Sequence, residues 1–203
     1  RETLAKYEGN EKIKIVYRTE NGHISRCTNS ALEIATGEFV AFMDCDDVLR
    51  PNALYEVVKA INKTNADFIY SDEDFMTIKN ECMNPHYKPD FSPDLLLSHN
   101  YITHFTTFKK DLLEKVGNFN SEFDGAQDYD LFLRLTEICK KVYHIPKVLY
   151  HWRMLETSTS SSSEVKPEAL NRAKNLLEKT LERRNISGIV ENANLNHYFR
   201  IKY

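Results

Sequence analysis

"GEFVAFMDCDD", residues 37–47, sets the architecture. Five apolar residues, Phe39 to Met43, run unbroken into Asp44, Asp46 and Asp47. A continuous apolar run of this length is the pattern of a strand covered on both faces, as in a parallel sheet flanked by helices. Three carboxylates within four residues repel one another, so a cation is expected at the strand's end. Working outward, residues 24–36 have helical spacing, with Gly37 where a left-handed cap would stand. Residues 12–18 alternate around Ile13, Ile15 and Val16 and predict an earlier strand. Pro51 opens a helix to about residue 63, and residues 67–71 give a short strand. Strand, helix, strand, helix, strand is the rhythm of an α/β sheet.

Beyond residue 75 the rhythm loosens. "NPHYKPDFSPD", residues 84–94, holds three prolines in eleven residues and predicts an irregular extended passage. Residues 103–108 read as a strand and 110–116 as a helix closed by Gly117. A helix over 127–139 sets Leu131, Leu135 and Ile138 on one face. Residues 141–145 and 148–150 read as two short strands turning at Pro146. "TSTSSSSE", residues 157–164, is a polar low-complexity loop, and 167–184 an amphipathic helix. The expected division is therefore a domain over 1–155, a Ser-rich loop over 156–166, and a closing helix and strand over 167–203.

With 203 residues, 41% hydrophobic and 11% aromatic, the composition is that of a globular chain with a real core. A net charge of −3, without a long block of one sign, gives no indication of a nucleic-acid partner. Cys27, Cys45, Cys82 and Cys139 form no CxxC pair, which argues against structural zinc and for reduced thiols in a reducing, cytoplasmic setting. No apolar run approaches the length of a membrane span. The chain begins without Met and closes on "NHYFRIKY", so it reads as a piece of something longer.

Three acidic groups carry the chemistry. Ligands of α/β sheets bind outside the carboxyl ends of the strands, where Asp44 and Asp46 fall. On extended backbone, side chains two apart face the same way, so these two can converge on one ion. Oxygen ligands suit Mg²⁺ or Mn²⁺, with substrate phosphates completing the shell. The plainer alternative is that Asp46 and Asp47 cap the following helix. "YSDEDF", residues 70–75, follows the next strand, either as a solvated loop or on the acceptor side. In "FDGAQDYDLFLRL", Gly125 breaks the chain and Asp128 enters the first turn of a helix. The helix dipole favours its ionised form there, as a general base requires; simple capping is the alternative and suits Asp130 as well. "LYHWR", residues 149–153, sets His151 and Arg153 about the only tryptophan, for packing or for facing phosphate or metal.

Taken together and in order, "NGHISRCTNSALEIATGEFVAFMDCDD", "YSDEDF", "NPHYKPDFSPDLLLSHNYI", "VGNFNSEFDGAQDYDLFLRL" and "HIPKVLYHWR" resemble the family 2 glycosyltransferases of GT-A fold. The third piece resembles the branch that builds rhamnan and related bacterial cell-surface polysaccharides. The resemblance implies that Asp44 and Asp46, with Asp47 adjacent, bind a divalent ion and a sugar nucleotide. It makes Asp128 the base in an inverting transfer, His151 a metal or diphosphate contact, and Arg153 a diphosphate contact. Arg26 and Asn29 would line the donor pocket. It implies Mn²⁺ or Mg²⁺, a UDP- or dTDP-linked donor, a glycan or lipid-linked acceptor, peripheral action at the inner face of the membrane, and a second transferase module. The family's two opening strands, which grip the nucleotide base, are missing from this stretch. Two other classes fit parts of the sequence. "FVAFMDCDDV" suits a haloacid-dehalogenase-type phosphohydrolase, although "GAQDYD" does not supply that class's later GDxxxD. A non-catalytic nucleotide- or glycan-binding fragment of a larger synthase is the other.

Overall fold

The computed structural model describes residues 1–155 and 167–203; the Ser-rich stretch at 157–164 lies outside them. In chain order the elements are helices α1 (Glu2–Ala5) and α2 (His23–Ile34), strands β1 (Phe39–Ala41) and β2 (Val48–Leu49), helix α3 (Ala53–Thr64), strands β3 (Phe68–Met76) and β4 (Cys82–His86), helix α4 (Pro93–Ser98), strand β5 (Thr106–Lys109) and helix α5 (Leu112–Val116). After a 3₁₀ turn at Ser121–Phe123 come helix α6 (Gln127–Ile138), strand β6 (Val142–Arg153), helix α7 (Pro167–Arg183) and strands β7 (Ile189–Asn192) and β8 (Phe199–Lys202).

Six strands make the main sheet, in the order β1-β5-β3-β6-β2 with β4 beside β3. β3 and β6 are parallel, and β5 runs antiparallel to both β1 and β3. The carboxyl ends of β1, β3 and β6 therefore face the same way. Alternation along β3 divides the core: Phe68 and Tyr70 pack under α6 and α7 with Leu131, Leu133 and Leu177. Ile69 packs on the other face against Val57 and Ala60 of α3 and Leu149 of β6. Helices thus cover both faces and the α/β expectation is met, but the expected mostly parallel sheet is corrected: among the described residues only β3–β6 pairs in parallel, while β1–β5, β5–β3, β3–β4 and β6–β2 are antiparallel.

Several sequence readings are corrected. Residues 12–18 pair with no described strand, and Ile13 and Val16 are exposed. Alternation makes a strand only where an edge is there to receive it; here Lys14 Nζ donates to the Ile34 carbonyl of α2 (3.0 Å) and Arg18 to Ser30 (2.5 Å). α2 ends in extended backbone at Ala35, and Gly37 has no left-handed φ; a Cβ on it would sit 3.0 Å from the Phe39 carbonyl. β1 is short and lies at an end of the sheet, so Val40 is buried while Ala41 and Met43 are exposed, not covered on both faces. Pro51 stands in the turn before Asn52, which precedes the first residue of α3, Ala53.

The 141–150 region is one strand rather than two. β6 passes through Pro146 by a bulge, its register against β3 slipping between Ser71↔Ile145 and Asp72↔Val148. α6 is buried on more of its circumference than the expected stripe, with Tyr129, Phe132 and Leu133 added, whereas Ile138 is exposed. The closing strand pairs with β7, and Val190 and Phe199 join the core. Gly117 does close α5, at φ 83°.

Leu133 is fully buried whereas Leu54 of α3 is 63% exposed. Leu133→Ala is expected to cost about 2–5 kcal/mol in urea denaturation, and Leu54→Ala to stay within about 0.5 kcal/mol of wild type.

Candidate active site

The chain leaves β1 into a tight turn, not an extended stretch, closed by the Asp47 N–H donating to the Asp44 carbonyl (3.3 Å). This removes the premise that Asp44 and Asp46 share a face. The turn brings Asp44 and Asp47 together instead, and His104 joins them; one ligand atom from each lies within 4.8 Å of the others. Neither Asp46 nor Asp47 caps α3, whose start carries no side-chain cap.

The end of β6 holds this turn. Tyr150, fully buried, donates its hydroxyl proton to Asp47 Oδ2 and accepts from the Asp44 N–H (3.1 Å). The Arg153 N–H donates to Asp47 Oδ1 (2.8 Å), and its Nε to the Asp46 carbonyl (2.6 Å). Asp47 is therefore the buried anchor, while Asp44 faces outward. Crowding by surrounding protein pushes the Asp44 carboxyl up from its usual range; Asp47, Asp46 and Asp128 add to this, and His104 opposes it. Three acidic neighbours that raise the cost of ionising Asp44 are what a cation would relieve. Two carboxylates and an imidazole, mostly oxygen donors with one nitrogen, fit Mn²⁺ and tolerate Mg²⁺.

Beneath this lies a buried electrolyte. "YSDEDF" lies within β3, not in a loop, and Asp72, Glu73 and Asp74 are all buried. Asp72 pairs with His144 (2.8 Å), Glu73 with Lys88 (3.2 Å), and Asp74 with His151 (2.5 Å). Lys88 also donates to the carbonyls of Ile102 (2.6 Å) and His104. Glu73 accepts from Thr103 (2.7 Å) and the His104 N–H (3.0 Å). These bonds fix the segment that carries His104, whose ring stacks on Tyr150 at 4.6 Å. Desolvation works against the Glu73 charge, but Lys88, His86, His104 and Thr103 outweigh it and hold the carboxyl down at about 2.

Asp128 and Asp130, alternatives in the sequence, separate clearly. Asp130 is buried and bridged to Arg134 (2.6 Å), a residue that also clasps the Val116, Gly117 and Asn118 carbonyls. Asp128 is half-buried in the first turn of α6, accepts from Asn100 Nδ2 (2.8 Å), and its charge reaches Asp44. Asn100 Oδ1 is buried without a hydrogen-bond partner among the described residues.

Of the remaining sequence candidates, Asn29 and His151 turn to other partners, and Arg153 touches the group as its clasp. Asn29 spends its amide on the Phe119 backbone, at 2.9 and 3.0 Å, and Arg26 is exposed on α2. The His151 ring turns to Asp74 and Cys82 rather than to Asp44. Arg153 donates from Nε to the Asp46 carbonyl and, at 3.0 Å, from Nη1 to Asn80 Oδ1, so it serves chiefly as a clasp. His104, Tyr150, Asn100 and Lys88 were not singled out by sequence. Lys88, Asn100 and Tyr150 lie inside stretches quoted for the family resemblance, which was the available signal; His104 lies two residues beyond one of them. The surface hollows lined by Leu32 and Lys110, or by Lys14 and Arg18, contain none of these groups.

Residues 1–117 match the profile described as "Glycosyl transferase family 2". The chain belongs to glycosyl transferase family 2. That membership leaves the phosphohydrolase alternative without support. This family 2 chain is 42% identical over 175 residues to an uncharacterised protein, y4gI, of Sinorhizobium fredii, covering 85% of this chain and 19% of that protein. It is 38% identical to the O-antigen biosynthesis protein RfbC of Myxococcus xanthus, covering 77% of this chain and 12% of that one. The chain thus spans less than a fifth of these curated relatives' length. The crystal structure of S. aureus TarS 1-349 in complex with UDP-GlcNAc superposes at a TM-score of 0.69 and 18% identity, covering 97% of this chain and 55% of that one. A mannosyltransferase of Pyrobaculum calidifontis, solved with GDP-Man and Mn²⁺, superposes at 0.56 with 16% identity, covering 91% and 61%. The family 2 chain has the GT-A fold.

A depressed Glu73 means that, below its ordinary value of 4.5, the unfolded chain binds more protons than the folded one. Stability is expected to fall as pH drops from about 4.5 toward 2. Glu73→Gln should flatten that limb in pH-dependent denaturation, while costing about 3–5 kcal/mol at neutral pH by leaving Lys88 buried and unpaired.

Proposed function

We propose that this domain is the donor-binding and catalytic part of an inverting, metal-dependent glycosyltransferase that extends a bacterial cell-surface polysaccharide. The observation that carries the reading is the cluster beyond β1, where Asp44, Asp47 and His104 offer ligand atoms within 4.8 Å of one another, with Asp128 held by Asn100 in the first turn of α6. A base and a diphosphate site must lie about this way on either side of a sugar's anomeric carbon. The matches to an O-antigen biosynthesis protein and, at 28% identity over 81% of this chain, to chondroitin synthase of Pasteurella multocida support the polysaccharide class. The neighbouring structure with UDP-GlcNAc supports a nucleotide-sugar donor.

In this reading Asp44 holds the divalent ion with Asp47 and His104 beside it, and Asp46 lines the same turn. When bound, the ion supplies Lewis-acid stabilisation of the departing nucleoside diphosphate. Asp128 takes the proton of the acceptor hydroxyl as that oxygen attacks the anomeric carbon from the face opposite the leaving group. Asn100 orients Asp128 through Nδ2. Tyr150 and Arg153 act through Asp47, keeping the turn in place. No helix among the described residues is long and apolar enough to cross a membrane. We assign the domain to the cytoplasmic side, acting on a glycan or lipid-linked glycan and joined to a further module in the longer protein.

Asp128→Asn in the full-length protein is expected to cut transfer by about 10²–10⁴-fold, the usual contribution of a general base. Calorimetry with UDP and Mn²⁺ should give near wild-type binding for that variant, and Asp44→Asn should lose it. Transfer by Asp128→Asn at close to the wild-type rate would put the base elsewhere. Failure of the wild type to bind UDP would remove the donor-site reading.

A further inference from the structure

A second group of ligating side chains lies outside the constellation above. Asp74, Cys82 and His151 each offer one ligand atom, all within 4.8 Å of one another. Three different strands supply them: Asp74 from β3, Cys82 from β4 and His151 from β6. Asp74 and His151 stand opposite each other in the parallel ladder, while Cys82 faces Met76 across the β3–β4 pairing. His151 Nδ1 is 2.5 Å from Asp74 Oδ1 and 3.5 Å from Cys82 Sγ. Asp74 and His151 are buried and Cys82 is exposed, so the group has a fixed floor and an open mouth. Among the described residues, His151 is the only ion-pair partner of Asp74.

We propose that Asp74, Cys82 and His151 form a three-ligand site for a thiophilic divalent cation of the Zn²⁺ class. The donor set differs in kind from that at Asp44. A thiolate and an imidazole select softer ions than carboxylates do, and three protein ligands with one position open to water is a recurrent arrangement for zinc. With Zn–N and Zn–S bonds of roughly 2.0 and 2.3 Å, two ligands on one ion stand about 3.3–3.8 Å apart. The Cys82–His151 separation already matches, and the Asp74–His151 pair has to open by roughly 1 Å. Partial burial first, and the Asp74 charge second, push the Cys82 thiol up, which keeps its proton on. That proton passes to solvent as the sulfur–metal bond forms. An ion there would tie the β3–β4 hairpin to β6 between Tyr150 and Arg153, the two residues that grip Asp47.

Co²⁺ titration of the metal-free protein tests the site, because cobalt reports sulfur ligation by charge-transfer absorption. Wild type is expected to take up one Co²⁺ with that absorption and to release it when Zn²⁺ is added. Cys82→Ser, at an exposed position, should abolish the band and weaken Zn²⁺ by more than the roughly 10- to 100-fold that loss of an outer-shell partner costs. Cys45→Ser, beside the Asp44 group, and Cys27→Ser should leave both unchanged. A band that survives Cys82→Ser, one that disappears with Cys45→Ser or Cys27→Ser, or none in wild type overturns the assignment. Circular dichroism checks that each variant is folded, and none of these readouts depends on transferase activity.

Discussion

A carboxylate that has lost water must find donors, and Asp47 finds them on a strand more than a hundred residues away in the sequence. The Tyr150 hydroxyl and the Arg153 amide satisfy it, and in doing so join the turn after β1 to the end of β6. Once Asp47 is held, the other groups have little choice. Asp44 is turned outward, the Asp46 carbonyl is taken by Arg153, and His104 is laid against the ring of Tyr150. The metal-binding capacity proposed for Asp44 is a by-product of where its neighbour is anchored.

The same logic recurs one layer down. β3 carries three acidic residues into the interior, and each meets a cationic or titratable partner, Lys88 beyond β4 or a histidine of β6. Buried pairs of this sort add little net stability over well-packed apolar residues, but breaking one leaves an uncompensated charge. Their use here is positional. Lys88 bonds at once to a β3 carboxylate and to two carbonyls in the 102–104 segment, so the loop bearing His104 is specified by charge as well as by packing.

Elements whose burial pattern is local were legible in the sequence. α2, α3 and α7 follow their apolar periodicity, α6 does so only in part, and Gly117 marks the end of α5. What failed depended on contacts distant in sequence. The 12–18 segment alternates correctly but has no described strand to pair with. "YSDEDF" looks like a loop because nothing local reveals that Lys88, His144 and His151 wait to neutralise it. The inference that Asp44 and Asp46 share a face assumed extended backbone; the turn made Asp47 the partner of Asp44. Asp128 and Asp130, equivalent by composition, are told apart only by Arg134 and Asn100. The acidic turn and the start of α6 were found because repulsion and helix-dipole arguments are local. Tyr150 was passed over because it acts through Asp47, and His104 because only the fold brings it to the acidic turn.

The bulge in β6 at Pro146 has one more implication. Side chains on a strand alternate between its two faces, so every residue inserted into or removed from the bulge inverts the phase of all that follows. The slips against β3 set that phase, leaving Tyr150 beneath the Asp47 turn and His151 against Asp74. Shortening the kink by a single residue would move His151 into the place of Tyr150 and Trp152 into that of His151, aiming an imidazole at the acidic turn and an indole at Cys82. The length of an unremarkable irregularity thus works as a selector, deciding which of two neighbouring side chains looks into the cleft.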